Sequence, residues 1–408
     1  MSFEKIYEEL INLYDKGLYN EVIKEIDNSE SKKNFSPELK NFKGLAYLAL
    51  EDFKKATFFF KEATDQDNKF FKAFNNYGIS LFYGAKYDES IEKFDKAIEI
   101  NPDYAEAYNN KGNLFDHIGK IDEAIISFKI ALNLKPDFFD AEENLIKILI
   151  SDIEVSDDNN EIIKIHNKLK KFSFDYNFQQ KFDINNIKKV ISECSIIINN
   201  YFKELKVSST QIFRRNTKNL NCERHFKIFN NYKVIPENCF GCFKVSLEVR
   251  TVIDLIKLYI IFDNIKLPNN NIRKCMIEER KDILGNYKGF IYCDSLEEAK
   301  NLKSLIDPII FKTIGDNLNI FIKHGCSEFA IEYPDFKELD KNSKNYMNYN
   351  PNWKDKENTV DNKYSYLNQK IMNKSNKGIF LNDILIIKNW FTFAKSKNDE
   401  SYNLLMQL

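Results

Sequence analysis

No stretch of this chain is both long and apolar enough to cross a bilayer; the best run, LIKLYIIFDNI, is short and carries charge. The opening MSFEKIYEEL lacks a basic stretch followed by an apolar core, which argues against a secretory signal peptide. A cytoplasmic protein with no membrane partner is the expectation that follows. Also missing are a Walker loop, a dinucleotide-binding glycine fingerprint and an HExxH pair, so none of those nucleotide or metalloprotease chemistries is written here. Seven cysteines, an odd number in a chain of 408 residues, read as thiols or metal ligands rather than a disulfide framework. Net charge is nearly absent, at −1, but it is unevenly spread: about −8 over residues 1–150, about −1 over 151–200 and about +8 over 201–408. The basic part would favour an anionic partner without demanding one.

What is present begins with a period. Gly44, Gly78 and Gly112 are spaced by 34 residues, as are Phe60, Phe94 and Phe128, and Ala63, Ala97 and Ala131. Pro102 and Pro136 close two of the copies, and Asn68 stands where the first would have its proline. A fixed period of this length marks stacked pairs of antiparallel helices. The glycines let two helices approach closely, and the aromatics are expected to fill the space between successive units. The pattern resembles the tetratricopeptide repeat family most strongly over residues 37–136. Tyr19, Val22 and Ile26 extend it backwards as a degenerate first unit, and residues 138–150 as a closing helix.

The resemblance implies a superhelix whose inner surface is lined by the first helix of each pair, and a protein or peptide partner held there. Asn41, Asn75 and Asn109 share one register and Asn76, Asn110 and Asn144 the next. With Lys72 and Asn113 they are the candidate peptide-binding residues, because a side-chain amide can both donate to and accept from an extended backbone. One branch of the family clamps a C-terminal carboxylate with Lys and Arg. Leu45 and Glu106 occupy two of those positions here, which argues against such a clamp.

In the second half, CERHFKIFNNYKVIPENCFGC gives Cys-x2-His, a gap, then Cys-x2-Cys. Cys222, His225, Cys239 and Cys242 are thus candidate ligands of a tetrahedral, structural zinc. From Phe243 the period shifts towards two. FKVSLEV, RKCMIEER, YKGFIYC and LNIFIKHGCSEFAIEY read as strands, or a last hairpin, and TVIDLIKLYIIFDNI and SLEEAKNLKSLIDPII as helices. That order, βαββαβ, is the ferredoxin-like arrangement. Within it, Lys288-Gly289-Phe290-Ile291-Tyr292 resembles the opening of the RNA-recognition-motif signature. The resemblance implies RNA stacking on Phe290 and Tyr292, with Lys288 at phosphate. A further reading gathers Cys275, Cys293, His324 and Cys326 into a thiol or metal site for a thiol- or metal-dependent enzyme. No third orienting group can be named for it, so no catalytic residue is assigned.

The sequence therefore predicts a multidomain chain, α followed by α+β. Residues 1–36 form a degenerate repeat, 37–150 a tetratricopeptide solenoid and 151–205 a helical bridge. Residues 206–340 hold the Cys/His site and the α/β domain, 341–378 a polar linker, and 379–408 a C-terminal helix. The leading functional expectation is an adaptor that holds a polypeptide in the solenoid groove while the basic domain binds something else. An RNA-associated protein and an enzyme are its rivals.

Overall fold

The 34-residue period resolves into helix pairs in the computed structural model, which describes residues 3–30, 36–151, 159–174, 182, 184–201, 204–215, 219–281, 283–371 and 377–406. Most of the expected boundary segment at 152–158, and residues 372–376 of the expected linker, lie outside the described residues. The chain divides into two units. The first comprises Met1–Asn144 with Val360–Ile371, and the second Leu145–Thr359 with Met372–Leu408.

In the first unit, α1 (Phe3–Asp15) and α2 (Tyr19–Glu30) make the degenerate pair. Three regular pairs follow: α3 (Pro37–Ala49) with α4 (Phe53–Gln66), α5 (Phe71–Tyr83) with α6 (Tyr87–Ile100), and α7 (Ala105–His117) with α8 (Ile121–Leu134). The closing helix is α9 (Phe139–Ile148). Local chemistry starts the first regular pair. Ser36 accepts from the Leu39 N–H with Pro37 in the first turn, and Asp52 accepts from the Lys55 N–H at 3.1 Å. Phe60, Phe94 and Phe128 are fully buried, each with its ring against the glycine sixteen residues earlier. Each such ring contributes about 1.5–3 kcal/mol by leaving water. Ser90 seals the second pair by donating to the Gly78 carbonyl at 2.7 Å.

The second unit opens with α10 (Glu161–Leu169) and α11 (Ile184–Asn199). A five-stranded sheet follows, built from β1 (Gln211–Arg214), β2 (Phe243–Val249), β3 (Arg273–Ile277), β4 (Tyr287–Cys293) and β5 (Asn319–His324). Their spatial order is β1-β3-β4-β2-β5 and every pairing is antiparallel. Between and beyond the strands lie α12 (Cys222–Tyr232), α13 (Val252–Asn264), α14 (Leu296–Thr313), α15 (Ser327–Glu332), α16 (Lys354–Lys363), α18 (Leu381–Ser396) and α19 (Asn403–Met406), while the last residues of α16 and all of α17 (Tyr366–Gln369) belong to the first unit. Strand β1 goes beyond the sequence expectation, because QIFR is too short to show alternation. The expected last hairpin is instead a strand, a turn at Gly325 and the helix α15.

The two faces of the sheet differ. Leu258 and Phe262 of α13 press on Gly289, so the face carrying Gly289, its partner Cys275, and Ile291 and Val245 is the apolar one. Arg273 reaches from that face to the end of α13, donating to the carbonyls of Phe262 at 2.9 Å and Ile265 at 2.5 Å. Arg214, on β1, is 3% exposed and ties three elements together. Its guanidinium donates to Asp263 at 2.7 Å, to both oxygens of Asp383 at 3.2 and 2.7 Å, and to the Tyr259 hydroxyl at 2.6 Å. This network fixes the C-terminal helix α18, whose Trp390 is fully buried and donates to the Thr210 carbonyl.

Residues 341–371 are more ordered than their polar composition suggests. The short turn Pro351–Trp353 leads into α16, and Glu357 there is 2% exposed, paired with Arg224 at 2.9 Å and accepting from the Glu237 N–H. Removing one partner of such a buried pair would cost about 3–5 kcal/mol, because it leaves the other charge unpaired. Composition does not display the pair.

Candidate functional sites

The solenoid surface is built by the asparagine registers, though not as an open ladder. Asn41, Asn75 and Asn109 are buried, and the oxygen of each accepts from the amide of the next repeat: Asn76 to Asn41 at 2.9 Å, Asn110 to Asn75 at 2.9 Å, Asn144 to Asn109 at 3.1 Å. The two registers therefore bond to each other, at a separation of 35 residues, and lock successive repeats in register. Buried amides need such partners, since an unmade bond costs about 1–3 kcal/mol. Lys72 and Asn113 are exposed, and Asn76, Asn110 and Asn144 are half-buried.

The same unit contains a segment that sequence reasoning misses. Residues Val360–Ile371, expected within a linker, pack along the turns that join the helices of each pair. The Tyr364 hydroxyl donates to Glu51 at 2.5 Å, Tyr366 lies edge-on to Phe53 and Tyr83, and the Ile371 N–H donates to the His117 carbonyl at 2.9 Å. His117 sits among Phe82, Tyr87 and Tyr366, and burial, with Lys370 nearby, lowers it to about 4. It is neutral at neutral pH. The two tyrosines and the isoleucine are the available signal, but they are surrounded by Asn and Lys.

In the second unit, Lys288, Phe290 and Tyr292 do share one sheet face, as alternation requires. They are 4%, 9% and 8% exposed, and the Lys288 ammonium is paired with Glu278 at 3.3 Å. Glu278 is in turn held by Arg280, which also pairs with Glu328. The three side chains are a packed floor rather than a splayed platform for bases. Three further lysines surround Phe290: Lys244 at 5.9 Å, Lys274 at 5.4 Å and Lys323 at 6.0 Å from the ring centre. Burial, and then the charge of Lys244, pull both Lys274 and Lys323 down to about 8.

The cysteines separate by face. Cys275 and Cys293 are buried on the apolar side, and His324 joins them there, stacked between Phe243 at 4.7 Å and Phe336 at 4.2 Å. Its ring nitrogens lie 2.8 Å from the Phe336 carbonyl and 3.1 Å from the Phe240 carbonyl, which anchors the ring. Cys326 lies on the opposite side, its Sγ 3.3 Å from the Lys244 ammonium. The set Cys275, Cys293, His324 and Cys326 is thus split across the sheet.

Cys326 comes instead to the other cysteine group. It packs in the same cluster as Cys239, with Phe229, Phe329 and Phe336. The Gly325 N–H donates to the Cys242 carbonyl at 2.8 Å, and the Cys242 N–H to the Cys239 carbonyl at 3.2 Å. Burial, with the thiols of Cys326 and Cys242 close by, pushes Cys222 up to about 11, and burial with all three neighbouring thiols raises Cys239 further. Cys326 lies 84 residues beyond Cys242, so no short spacing could join them. His225 is buried in α12. Among the described residues no three His, Cys, Asp or Glu side chains stand close enough to share one ion, and no disulfide joins the cysteines. Likewise, among the described residues no helix is long and apolar enough to cross a membrane.

The tetratricopeptide repeat family matches residues 37–70 and 105–138, and a second repeat profile of that family matches residues 80–116. Among solved structures, the chain is similar to YrrB, described as a repeat protein with an unusual peptide-binding site, at 20% identity over 33% of this chain and 70% of that one, with a TM-score of 0.31. It is similar to TTC0263, a thermophilic repeat protein of Thermus thermophilus, at 17% identity over 36% and 82%, with a TM-score of 0.34. It is also similar to the first repeat domain of Spaghetti, bound to an HSP90 peptide, at 22% identity over 28% and 92%, with a TM-score of 0.27. No curated protein matches the chain. The 34-residue period, the helix pairs and the family matches agree: residues 37–70, 80–116 and 105–138 carry tetratricopeptide repeats.

Proposed function

We propose that this chain is a protein-interaction adaptor whose repeat array holds an extended polypeptide. The observation that carries the reading is the division of labour on the first helices of each pair. Asn76, Asn110 and Asn144 donate to Asn41, Asn75 and Asn109 in links between repeats, while Lys72 and Asn113 remain exposed on the same set of helices. A surface that is pre-organised before binding loses less entropy when a peptide docks. Mixed donors and acceptors suit a backbone more than a particular side chain. Leu45 and Glu106 favour an internal stretch of polypeptide over a C-terminal carboxylate.

The test is a peptide array probed with the full chain, followed by anisotropy titration of the hits. Lys72→Glu combined with Asn113→Ala should weaken binding at least tenfold and leave the helical signal intact. Equal affinity in the variant, or no hit at all, defeats the reading.

In the second unit, the order β3-β4-β2-β5, with α13 and α14 as the intervening helices, supports reading residues 243–324 as a ferredoxin-like unit to which β1 is added at one edge. In this reading it is the rigid base on which the cysteine group is assembled.

A further inference from the structure

We propose that Cys222, Cys239, Cys242 and Cys326 together hold a thiophilic metal centre, with Lys244, Lys274 and Lys323 balancing its negative charge. The set differs from the one that spacing alone selects by a single member: Cys326 takes the place of His225.

Three separate pieces of chain contribute to it. Cys222 opens α12, whose Phe226 and Phe229 pack on Phe329 of α15. Cys239 lies in the short helical turn Glu237–Gly241 and Cys242 directly follows it, each bonded through its backbone to the next part of the site. Cys326 caps α15 after a turn in which Gly325 has φ +52° and any Cβ would strike the Phe336 ring. Only glycine meets both demands, so the turn that delivers the fourth thiol is specified by its sequence.

The lysines supply the second argument. Lys244 is 7% exposed and Lys274 and Lys323 are half-buried. Their hydrogen-bond partners are the Cys326 sulfur, the Gln211 side-chain oxygen at 3.3 Å and the Ser327 hydroxyl, and among the described residues no carboxylate pairs with any of the three. Three ammonium groups gathered around one aromatic ring without a carboxylate are costly unless an anion is bound beside them. Four cysteine thiolates on a metal carry such a charge. Metal displaces the thiol protons, so the charge arises when the centre forms.

The spacing bears on which metal. A single zinc ion with bonds of about 2.3 Å would draw the sulfurs to about 3.8 Å from one another. Among the described residues no three such side chains stand ready to share one ion, so a lone zinc would require the sulfurs to draw together. An iron–sulfur cluster seats four cysteines around several metal atoms and needs no such closure. The shared chemistry is four-thiolate ligation, and the measurement separates the two occupants.

The experiment uses the full chain, purified without oxygen and without added metal, and assayed for iron, zinc and acid-labile sulfide. The expected result is about one centre per chain. Iron in company with sulfide identifies a cluster, and zinc without sulfide identifies a single ion. Cys326→Ser should lower the bound metal at least fivefold, whereas His225→Gln and Cys275→Ser should retain it. A second readout needs no variant: alkylation mapped by mass spectrometry should leave Cys222, Cys239, Cys242 and Cys326 protected together, then label all four once the metal is extracted. Metal-free protein, metal retained in Cys326→Ser but lost in His225→Gln, or four thiols that label identically before and after extraction would each overturn the proposal.

Discussion

Substituting Gly78 with alanine sets two physical effects against each other with opposite signs. Alanine is the better helix former, and in the interior of α5 it should gain up to about 1 kcal/mol over glycine. Its Cβ, however, would lie 2.7 and 2.8 Å from two ring carbons of Phe94, where carbon atoms normally settle at about 3.5–4.0 Å. Relief requires the ring or one helix to move by nearly an ångström, and Phe94 is only 1% exposed. Overpacking of this size costs about 1–3 kcal/mol. The clash wins, and Gly78→Ala should destabilise the repeat unit by roughly 1–2 kcal/mol. Phe94→Leu shortens the ring and should reverse the sign of the glycine substitution when the two are combined. Hydrogen exchange across residues 71–100, with urea unfolding followed by circular dichroism, measures the cycle. If Gly78→Ala raises stability by about 1 kcal/mol in the Phe94 background, propensity alone decides and the packing argument is refuted.

The remaining predictions concern the buried polar groups. Asn75→Ala removes both the acceptor for Asn110 and an amide next to Asn76, and should cost about 1–3 kcal/mol, read as faster exchange in α5 and α7. Arg214→Ala leaves Asp263 and Asp383 buried without their cation and should cost about 3–5 kcal/mol, whereas Arg214→Met with Asp263→Leu and Asp383→Leu should recover much of that loss in a urea titration. His117 is held neutral by burial, with a folded value of about 4 against an ordinary 6.5. The unfolded chain therefore binds the proton more readily, and stability should fall as pH drops from about 6.5 towards 4, with a flatter profile in His117→Gln. An unchanged pH profile in that variant removes the histidine from the account.

The ladder of Asn41, Asn75 and Asn109 illustrates how far a linear pattern can be read. Their period identifies a surface, and the resemblance suggests a peptide, but the distances show that these residues bond across repeats. Helix registers are set by spacing along one chain segment. Whether an amide at a given register meets a ligand or its neighbour depends on how closely successive units stack. The α/β segment behaves in the same way. Alternation puts Lys288, Phe290 and Tyr292 on one face, and strand pairing keeps them there, yet their burial is decided by Glu278, Arg280 and the lysines contributed by other strands.

The repeats are written in the linear chain, because a 34-residue period is a local rule repeated. Each glycine and its phenylalanine lie sixteen residues apart on one helix pair. Most of the strand and helix order after Phe243 is written there too, through a change of period. The strand order, the packing of Val360–Ile371 against the repeat turns, and the packing of Cys326 beside Cys239 arise only on folding. Those contacts join residues tens to hundreds of positions apart. No local spacing constrains them, and only the closing of the sheet and the turn at Gly325 brings them within reach.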